Sequence, residues 1–369
     1  MRPWTATRLG LFATFVSISS FFLFSCQSAP PRPADRPQGR HAPPTPPLRG
    51  HKVVLLSLDG MGAVELRERW RAGEFGVGGF DRFFREGAVA EALHPVEPTL
   101  TAVNHIALAT GYPPRSTGIV GNSFHLNGTP WTVRTSGFAA TIETETIWEA
   151  ARRQGKRTAV LTFPGADDTD DRRRGDFGVS YAGRAIAPSE IVEEESPLAR
   201  GEWHSEIVEL PNGRSGIRWH TPLSQGQIYR GALYPTPAYP ADFADAVQAA
   251  GTYWPGTPDE PRLDEWIFGG SGEKGFDSTL WVDQVERFST FFFDLFRLAV
   301  RRGGWELLLG YVPTIDETGH KLLLVDPRQP GYSEEKSALF ARERRRVWQR
   351  VDRELASFLA TLDLRTTAV

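Results

Sequence analysis

Three continuous apolar runs, each closed by polar or turn residues, constrain what this chain can fold into more than any other feature. The first, "KVVLLSLDG", ends at Asp59 and Gly60, and similar runs occur in "RTAVLTFPG" and "WELLLGYVP". Apolar runs without polar alternation are typical of strands that are buried on both faces, as in a parallel sheet. Helical periodicity separates the runs, so the sequence predicts an α/β fold with a mainly parallel sheet between helices.

Helices are predicted where apolar residues recur at a helical period. These segments are Ala63 to Arg71, Phe80 to Glu86, the stretch from Ile147 to a stop at Gly155, "TLWVDQVERFSTFFFDLFRLAVRRGG" and "SEEKSALFARERRRVWQRVDRELASFLATL". Residues 188–275 differ, because Trp, Tyr, Pro and Gly are frequent, strands such as "SGIRWHT" are short, and no long helical period is visible. We interpret 188–275 as an insertion or cap on a domain that spans 51–369.

The N-terminal residues predict a lipoprotein signal peptide over 1–25. Arg2 and Arg8 form a positively charged region before an apolar segment that ends in "LFSC". This ending resembles the lipobox of bacterial lipoproteins, with Cys26 as the lipidated residue. An ordinary cleaved signal and an uncleaved anchor remain alternatives, although the run is short for a membrane span of ~20 residues. Cys26 is the single cysteine, so no internal disulfide can form.

Residues 26–50 are proline-rich and predict an extended linker. The expected location is therefore the extracytoplasmic side of a bacterial cell envelope, with the chain held to the membrane through lipidated Cys26. A net charge of −3 in 369 residues gives no electrostatic argument for binding nucleic acid or an anionic membrane surface. No feature of the sequence indicates a protein partner.

Three threonines stand in the stretch "EPTLTAVNHIALATG": Thr99, Thr101 and Thr110. Thr101 precedes a run that can wind as a helix before Gly111, so the ordinary interpretation is a helix N-cap. The alternative is a nucleophile. The segments that follow the first and last apolar runs help to decide between these two interpretations. Both contain acidic residues at the predicted carboxyl ends of parallel strands, where ligands bind in open α/β sheets.

Asp59 follows the first apolar run, and "TIDETGH" follows the last one. In that segment Asp316 and His320 are four residues apart, a spacing at which a carboxylate and an imidazole reach one cation from a single helical turn. The chain has only 8 histidines, so this pairing is moderately specific.

Asp59, Thr101, "GIVGN" with Asn122, and "DETGH" together resemble the type I phosphodiesterase/nucleotide pyrophosphatase family of the alkaline phosphatase superfamily. The resemblance runs from about Lys52 to Thr367 and is weakest in the middle insertion. It implies an alkaline-phosphatase-like fold that hydrolyses small phosphoric esters through a phosphothreonine intermediate.

The resemblance assigns the nucleophile to Thr101, not to Thr99 or Thr110. By the same resemblance Asn122 donates a hydrogen bond to a non-bridging phosphoryl oxygen. It also implies two zinc ions, one held by Asp316 and His320 and the other by Asp59 and Thr101. A helix N-terminus at Thr101 suits a phosphate, so the cap and nucleophile interpretations need not compete.

The chain departs from the family pattern in two places. Nucleotide-cleaving members usually have Phe-Pro after the nucleophile, where this chain has Ala102 and Val103, so a nucleotide preference is doubtful. The family also continues into a strand, an Asp-His pair and a later metal-binding His, whereas this sequence stops at "LDLRTTAV". About half of the usual zinc ligands therefore lack a counterpart, and the spacing of His94, His105 and His125 does not suggest replacements.

Two alternatives follow: a truncated, catalytically inactive lipoprotein that keeps a phosphate-binding cradle, and a phosphonate or phosphomonoester hydrolase. For the 369-residue chain we expect weak zinc binding and an exposed apolar edge from Leu362 to Val369. The DNA beyond the codon for Val369 would show whether the reading frame continues into the missing ligands.

Overall fold

The computed structural model describes residues 52–181, 184–224, 226–268 and 275–369. Contacts divide the chain into two units, Met1–Leu48 and Arg49–Val369, and the described residues all belong to the second. The predicted signal peptide, Cys26 and the whole proline-rich linker lie outside the described residues. Within the described part, no helix is both long enough and apolar enough to span a membrane.

A six-stranded sheet forms the centre of the second unit and confirms the predicted α/β class with a mainly parallel sheet. Its strands are β1 (Lys52–Leu58), β4 (Thr158–Leu161), β5 (Phe177–Val179), β10 (Ala238–Tyr239), β11 (Leu307–Val312) and β12 (Thr367–Ala368). They lie in the order β10-β5-β4-β11-β1-β12. All neighbouring pairs are parallel except β10 with β5.

The three apolar runs of the sequence are the three central strands. Strand β11 pairs with β1 on one side and with β4 on the other, and every residue of β11 and β4 is buried. The apolar run "RTAVLTFPG" is longer than its strand, which ends at Leu161, because Thr162 has a φ of 56°, outside the extended region.

Helices cover both faces of this sheet. They are α1 (Ala63–Arg71), α2 (Phe80–Glu86), α3 (Thr101–Thr110), α4 (Pro114–Thr117), α5 (Ile147–Arg153), α6 (Ala241–Ala249), α7 (Glu260–Phe268), α8 (Ser278–Arg302), α9 (Thr314–Leu322) and α10 (Glu334–Leu359). Val54 of β1 packs in a cluster with α8 and α10, whereas its neighbour Leu55 packs in a cluster with α3 and α5. This alternation shows why the strands are apolar at every position.

The region 188–275 contains a second, antiparallel sheet. Its strands are β6 (Glu190–Glu193), β7 (His204–Glu209), β8 (Ser215–Pro222) and β9 (Gln227–Arg230), in the order β6-β9-β8-β7. The same region also contains α6, α7 and β10, and β10 pairs with β5 in the central sheet. Both helices have only nine residues, which explains why no long helical period marks them.

Strand β12 forms one edge of the central sheet and is very short. It pairs only with Lys52 and Val53, so among the described residues nothing pairs with the remainder of β1 on that side. A groove of about 320 Å³ runs along this edge, lined by apolar side chains of β1, α2 and α10 and by Val369. Val369 is 41% exposed, as expected for this edge, and Leu362 is half-buried.

Candidate active site

The carboxyl ends of β1 and β11 bring two of the predicted acidic residues together. Asp59 follows β1 directly, and Asp316 lies in the first turn of α9, three residues beyond Pro313. The turn after Asp59 depends on Gly60, which has a φ of 67°; a Cβ there would lie 2.5 Å from the Cα of Asp316. The parallel register of the two strands therefore joins residues that are far apart in the sequence.

Thr101 is the first residue of α3, not its N-cap, so the capping interpretation is wrong. Leu100 occupies the N-cap position with extended backbone, and its side chain makes no capping hydrogen bond. Within the described residues, the Thr101 hydroxyl makes no hydrogen bond. Thr110 instead donates to the carbonyl of Ile106 at 2.7 Å, and Thr99 is exposed outside the helix. Of the three threonines, only Thr101 has a free hydroxyl at a helix N-terminus.

Asn122 lies next to Thr101 and is held at both its side chain and its backbone. Its Oδ1 accepts the N–H of Ala102 at 2.8 Å, and its carbonyl accepts the N–H of Gly137 at 2.9 Å. A backbone N–H can only donate, so the atom facing Ala102 must be the amide oxygen. The Nδ2 group is therefore the part of the amide that is left to donate to a ligand.

Gly137 explains how the chain can fold so closely around Asn122. Strands β2 (Ser123–Phe124) and β3 (Thr135–Ser136) form a hairpin between the two residues. A Cβ on Gly137 would lie 2.0 Å from the carbonyl oxygen of Gly121 and 3.0 Å from the Cβ of Ala102. Only glycine fits this contact without moving the hairpin.

Asp316 and His320 face each other on α9, as their spacing predicts. The distance from Asp316 Oδ2 to His320 Nε2 is 3.3 Å. Burial and the nearby Asp59 carboxylate raise the pKa of Asp316, while His320 lowers it. Two carboxylates that repel each other in a partly buried site favour the binding of a cation.

Tyr311 is a site residue that the sequence analysis missed. Its hydroxyl donates to Asp59 Oδ2 at 2.9 Å, and the N–H of Gly60 donates to Asp59 Oδ1 at 3.0 Å. Burial, together with the neighbouring Tyr181 and Asp59, raises the pKa of Tyr311 well above its usual value, so its hydroxyl remains a donor. The only signal in the sequence is a tyrosine inside the third apolar run.

A family model described as type I phosphodiesterase / nucleotide pyrophosphatase matches residues 53–369. The chain belongs to this family. A search of curated protein sequences finds no match.

Solved structures similar to this chain include three proteins. Phosphonoacetate hydrolase from Sinorhizobium meliloti 1021, in complex with phosphonoacetate, is 17% identical with a TM-score of 0.40, over 85% of this chain and 54% of that one. Murine ectonucleotide pyrophosphatase / phosphodiesterase 5 is 16% identical with a TM-score of 0.39, over 84% and 52%. A mutant of the alkaline phosphatase PafA is 15% identical with a TM-score of 0.46, over 85% and 60%. The chain thus spans little more than half the length of these structures.

For this member of the type I phosphodiesterase family, the two residues after Thr101 belong to the core. Ala102 and Val103 are completely buried and pack in the cluster between α3 and the sheet. The Phe-Pro position of nucleotide-cleaving members is thus occupied here by two core residues.

The residues that the structure describes form no complete metal site of the kind that the family resemblance implies. Within residues 52–181, 184–224, 226–268 and 275–369, no three His, Cys, Asp or Glu side chains converge to hold a metal ion. His105 uses both ring nitrogens in hydrogen bonds to Ser57 and Thr101, and His125 Nε2 contacts the carbonyl of Thr129. Two ligands per ion fall short of the three or four of a protein zinc site, so the described residues do not fit a complete zinc centre.

Proposed function

We propose that this protein is a phosphodiesterase-type hydrolase of phosphoric esters in which Thr101 is the nucleophile. The observation that carries the proposal is the free Thr101 hydroxyl at the start of α3, next to the fixed amide of Asn122. A threonine whose role was only to cap the helix would use its oxygen on a backbone N–H. A free hydroxyl at a helix N-terminus, beside an available donor, suits attack on a phosphoryl group.

In the proposed reaction, Thr101 Oγ1 forms a bond to phosphorus while the bond between phosphorus and the leaving oxygen breaks. The hydroxyl proton passes to water. A second water then attacks the phosphothreonine, releases the phosphate product and restores the hydroxyl. In both steps Asn122 Nδ2 donates to a non-bridging oxygen, and the N-terminus of α3 favours the negative charge of the phosphoryl group.

The proposal includes zinc only because the resemblance to the family implies it. Asp59 with Thr101, and Asp316 with His320, would each supply part of one ion's coordination. Because each pair is too small to complete a zinc site, no step of the reaction is assigned to a metal.

A second candidate function is favoured by the same shortage of ligands. The 369-residue chain would then bind phosphate at the N-terminus of α3 without turning over an ester. A phosphonate or a phosphomonoester remains an alternative substrate class. The buried Ala102 and Val103 argue against recognition of a nucleotide base at that position.

The test compares Thr101→Ala with Thr99→Ala in a form of the protein that continues through the family's Asp-His pair and later His. Hydrolysis of an aryl phosphodiester should be abolished in Thr101→Ala and largely retained in Thr99→Ala. Asn122→Ala should be milder, with a loss on the order of 10²-fold, as for removal of one oxyanion donor. Equal effects at Thr99 and Thr101 would show that the nucleophile is misassigned.

A further inference from the structure

His105 is a buried histidine that spans the gap between α3 and the central sheet. It is 5% exposed. Its Nδ1 lies 2.7 Å from the carbonyl oxygen of Thr101, and its Nε2 lies 2.8 Å from the hydroxyl oxygen of Ser57. The ring also packs edge-on against Tyr311, with 4.7 Å between the ring centres.

The partners of His105 fix the positions of its protons. A carbonyl oxygen can only accept, so Nδ1 carries the hydrogen that is shared with Thr101. In the neutral ring Nε2 then accepts the hydrogen of the Ser57 hydroxyl. Neither nitrogen remains free to bind a metal.

The two ends of this bridge lie at the centre of the candidate active site. Ser57 is in β1, two residues before Asp59, and the carbonyl is that of Thr101 itself. The N-cap residue Leu100 makes no side-chain hydrogen bond to the first turn of α3, and the N–H of Ala102 in that turn donates to Asn122 Oδ1. His105 therefore connects the strand that carries Asp59 to the turn that carries Thr101 and contacts Asn122.

We propose that His105 is a positioning residue, which holds the first turn of α3 on β1 so that Thr101, Asn122 and Asp59 keep their relative positions. The importance of that arrangement for catalysis rests on the proposed function. The effect of His105 on the first turn of α3 can be measured without any assay of activity, as the hydrogen exchange rate of the Ala102 N–H. This amide belongs to the first helical turn, where amides lack a partner in the helix, and Asn122 is its acceptor.

The experiment measures amide hydrogen exchange by NMR in the 369-residue protein and in Ser57→Ala, His105→Asn and His105→Ala. Ala102 should be protected in the parent protein. We expect its exchange to rise several-fold in Ser57→Ala and on the order of tenfold in His105→Ala, the effect of about one hydrogen bond. His105→Asn should be intermediate, because the Asn side chain can keep the donor to Thr101. Asn122→Ala sets the upper limit by removing the acceptor.

The amide of Gly111 is the internal control, because it donates to the carbonyl of Ala107 at the opposite end of α3 at 2.8 Å. Equal increases at Gly111 and Ala102 would mean that His105 stabilises the helix in general, which overturns the proposal. Unchanged protection of Ala102 in folded Ser57→Ala and His105→Asn overturns it as well. If His105→Ala does not fold, these two milder variants decide. Absence of ester hydrolysis in every form, including the extended parent, would instead contradict the proposed function and leave the exchange result intact.

Discussion

At the scale of single residues, the same side chain has different chemistry in different surroundings. Thr99, Thr101 and Thr110 are chemically identical, yet Thr110 is engaged with Ile106 inside its helix and Thr99 lies outside it. Thr101 is distinguished by its free hydroxyl at the first helical position. The histidines show the same dependence, since His105 is fully engaged by its neighbours while the side chain of His320 is 69% exposed beside Asp316.

Cys26 is the single residue that we predict to be lipidated. The apolar segment and "LFSC" predict that the mature chain begins at a lipidated Cys26. We propose that this lipid holds the protein to the membrane on the extracytoplasmic side of a bacterial cell envelope. Mass spectrometry of the native N-terminus should show a diacylglyceryl group on this cysteine. Cys26→Ala should release the protein from membranes. A mature soluble protein with an unmodified Cys26 thiol would contradict the prediction.

At the scale of elements, glycines decide how closely segments approach the site. Gly137 brings the end of the β2–β3 hairpin against Gly121 and Ala102, and so determines where Asn122 lies. Gly319 is in α9 between Asp316 and His320, and a Cβ there would meet nothing within 4 Å. Glycine is required at the first position by contact and is dispensable at the second.

The two glycines therefore form a matched pair of substitutions. Gly137→Ala should lower the free energy of unfolding by about 1–3 kcal/mol, because the added methyl group overlaps backbone. It should also speed amide exchange at Ala102, since Asn122 is displaced. Gly319→Ala should raise the free energy of unfolding by roughly 0.5–1 kcal/mol, the usual gain for alanine in a helix. Urea denaturation measures both, and a Gly137→Ala protein as stable as the parent would show that the hairpin moves freely.

At the scale of the whole molecule, the candidate site and one edge of the central sheet meet at β1. Its last residue precedes Asp59, and among the described residues the part of its edge that β12 leaves unpaired lies beside the apolar groove that Val369 helps to line. A strand continuing parallel to β1 would cover this edge and would end near Asp59, because β12 already has the parallel register. Completion of the edge and completion of the metal ligands are thus expected to go together.

This expectation is tested by comparing the 369-residue protein with a form extended through the family's Asp-His pair and later His. The short form should bind zinc weakly, hydrolyse an aryl phosphodiester barely or not at all, and aggregate more readily through its uncovered edge. The extended form should bind zinc stoichiometrically. Zinc content, turnover and light scattering are the measurements. A stoichiometric zinc content and equal turnover in the 369-residue form would show that other residues complete the site. This result would contradict our assignment of the metal ligands.

The sequence by itself determined the three central strands and most of the helices, and it predicted the candidate site residues. Local patterns suffice there, because an apolar run closed by Asp59, or a carboxylate and an imidazole four residues apart, is visible within a few positions.

Only the tertiary structure decided what those residues contact. The bond from Ala102 to Asn122 joins residues 20 apart, that from Ser57 to His105 joins residues 48 apart, and that from Tyr311 to Asp59 joins residues 252 apart. No pattern along a single sequence encodes such pairs, since they depend on strand register and helix placement. For the same reason, the sequence did not show that Gly137 is required. It also did not show that Leu100, and not Thr101, occupies the N-cap position, which leaves the Thr101 hydroxyl free.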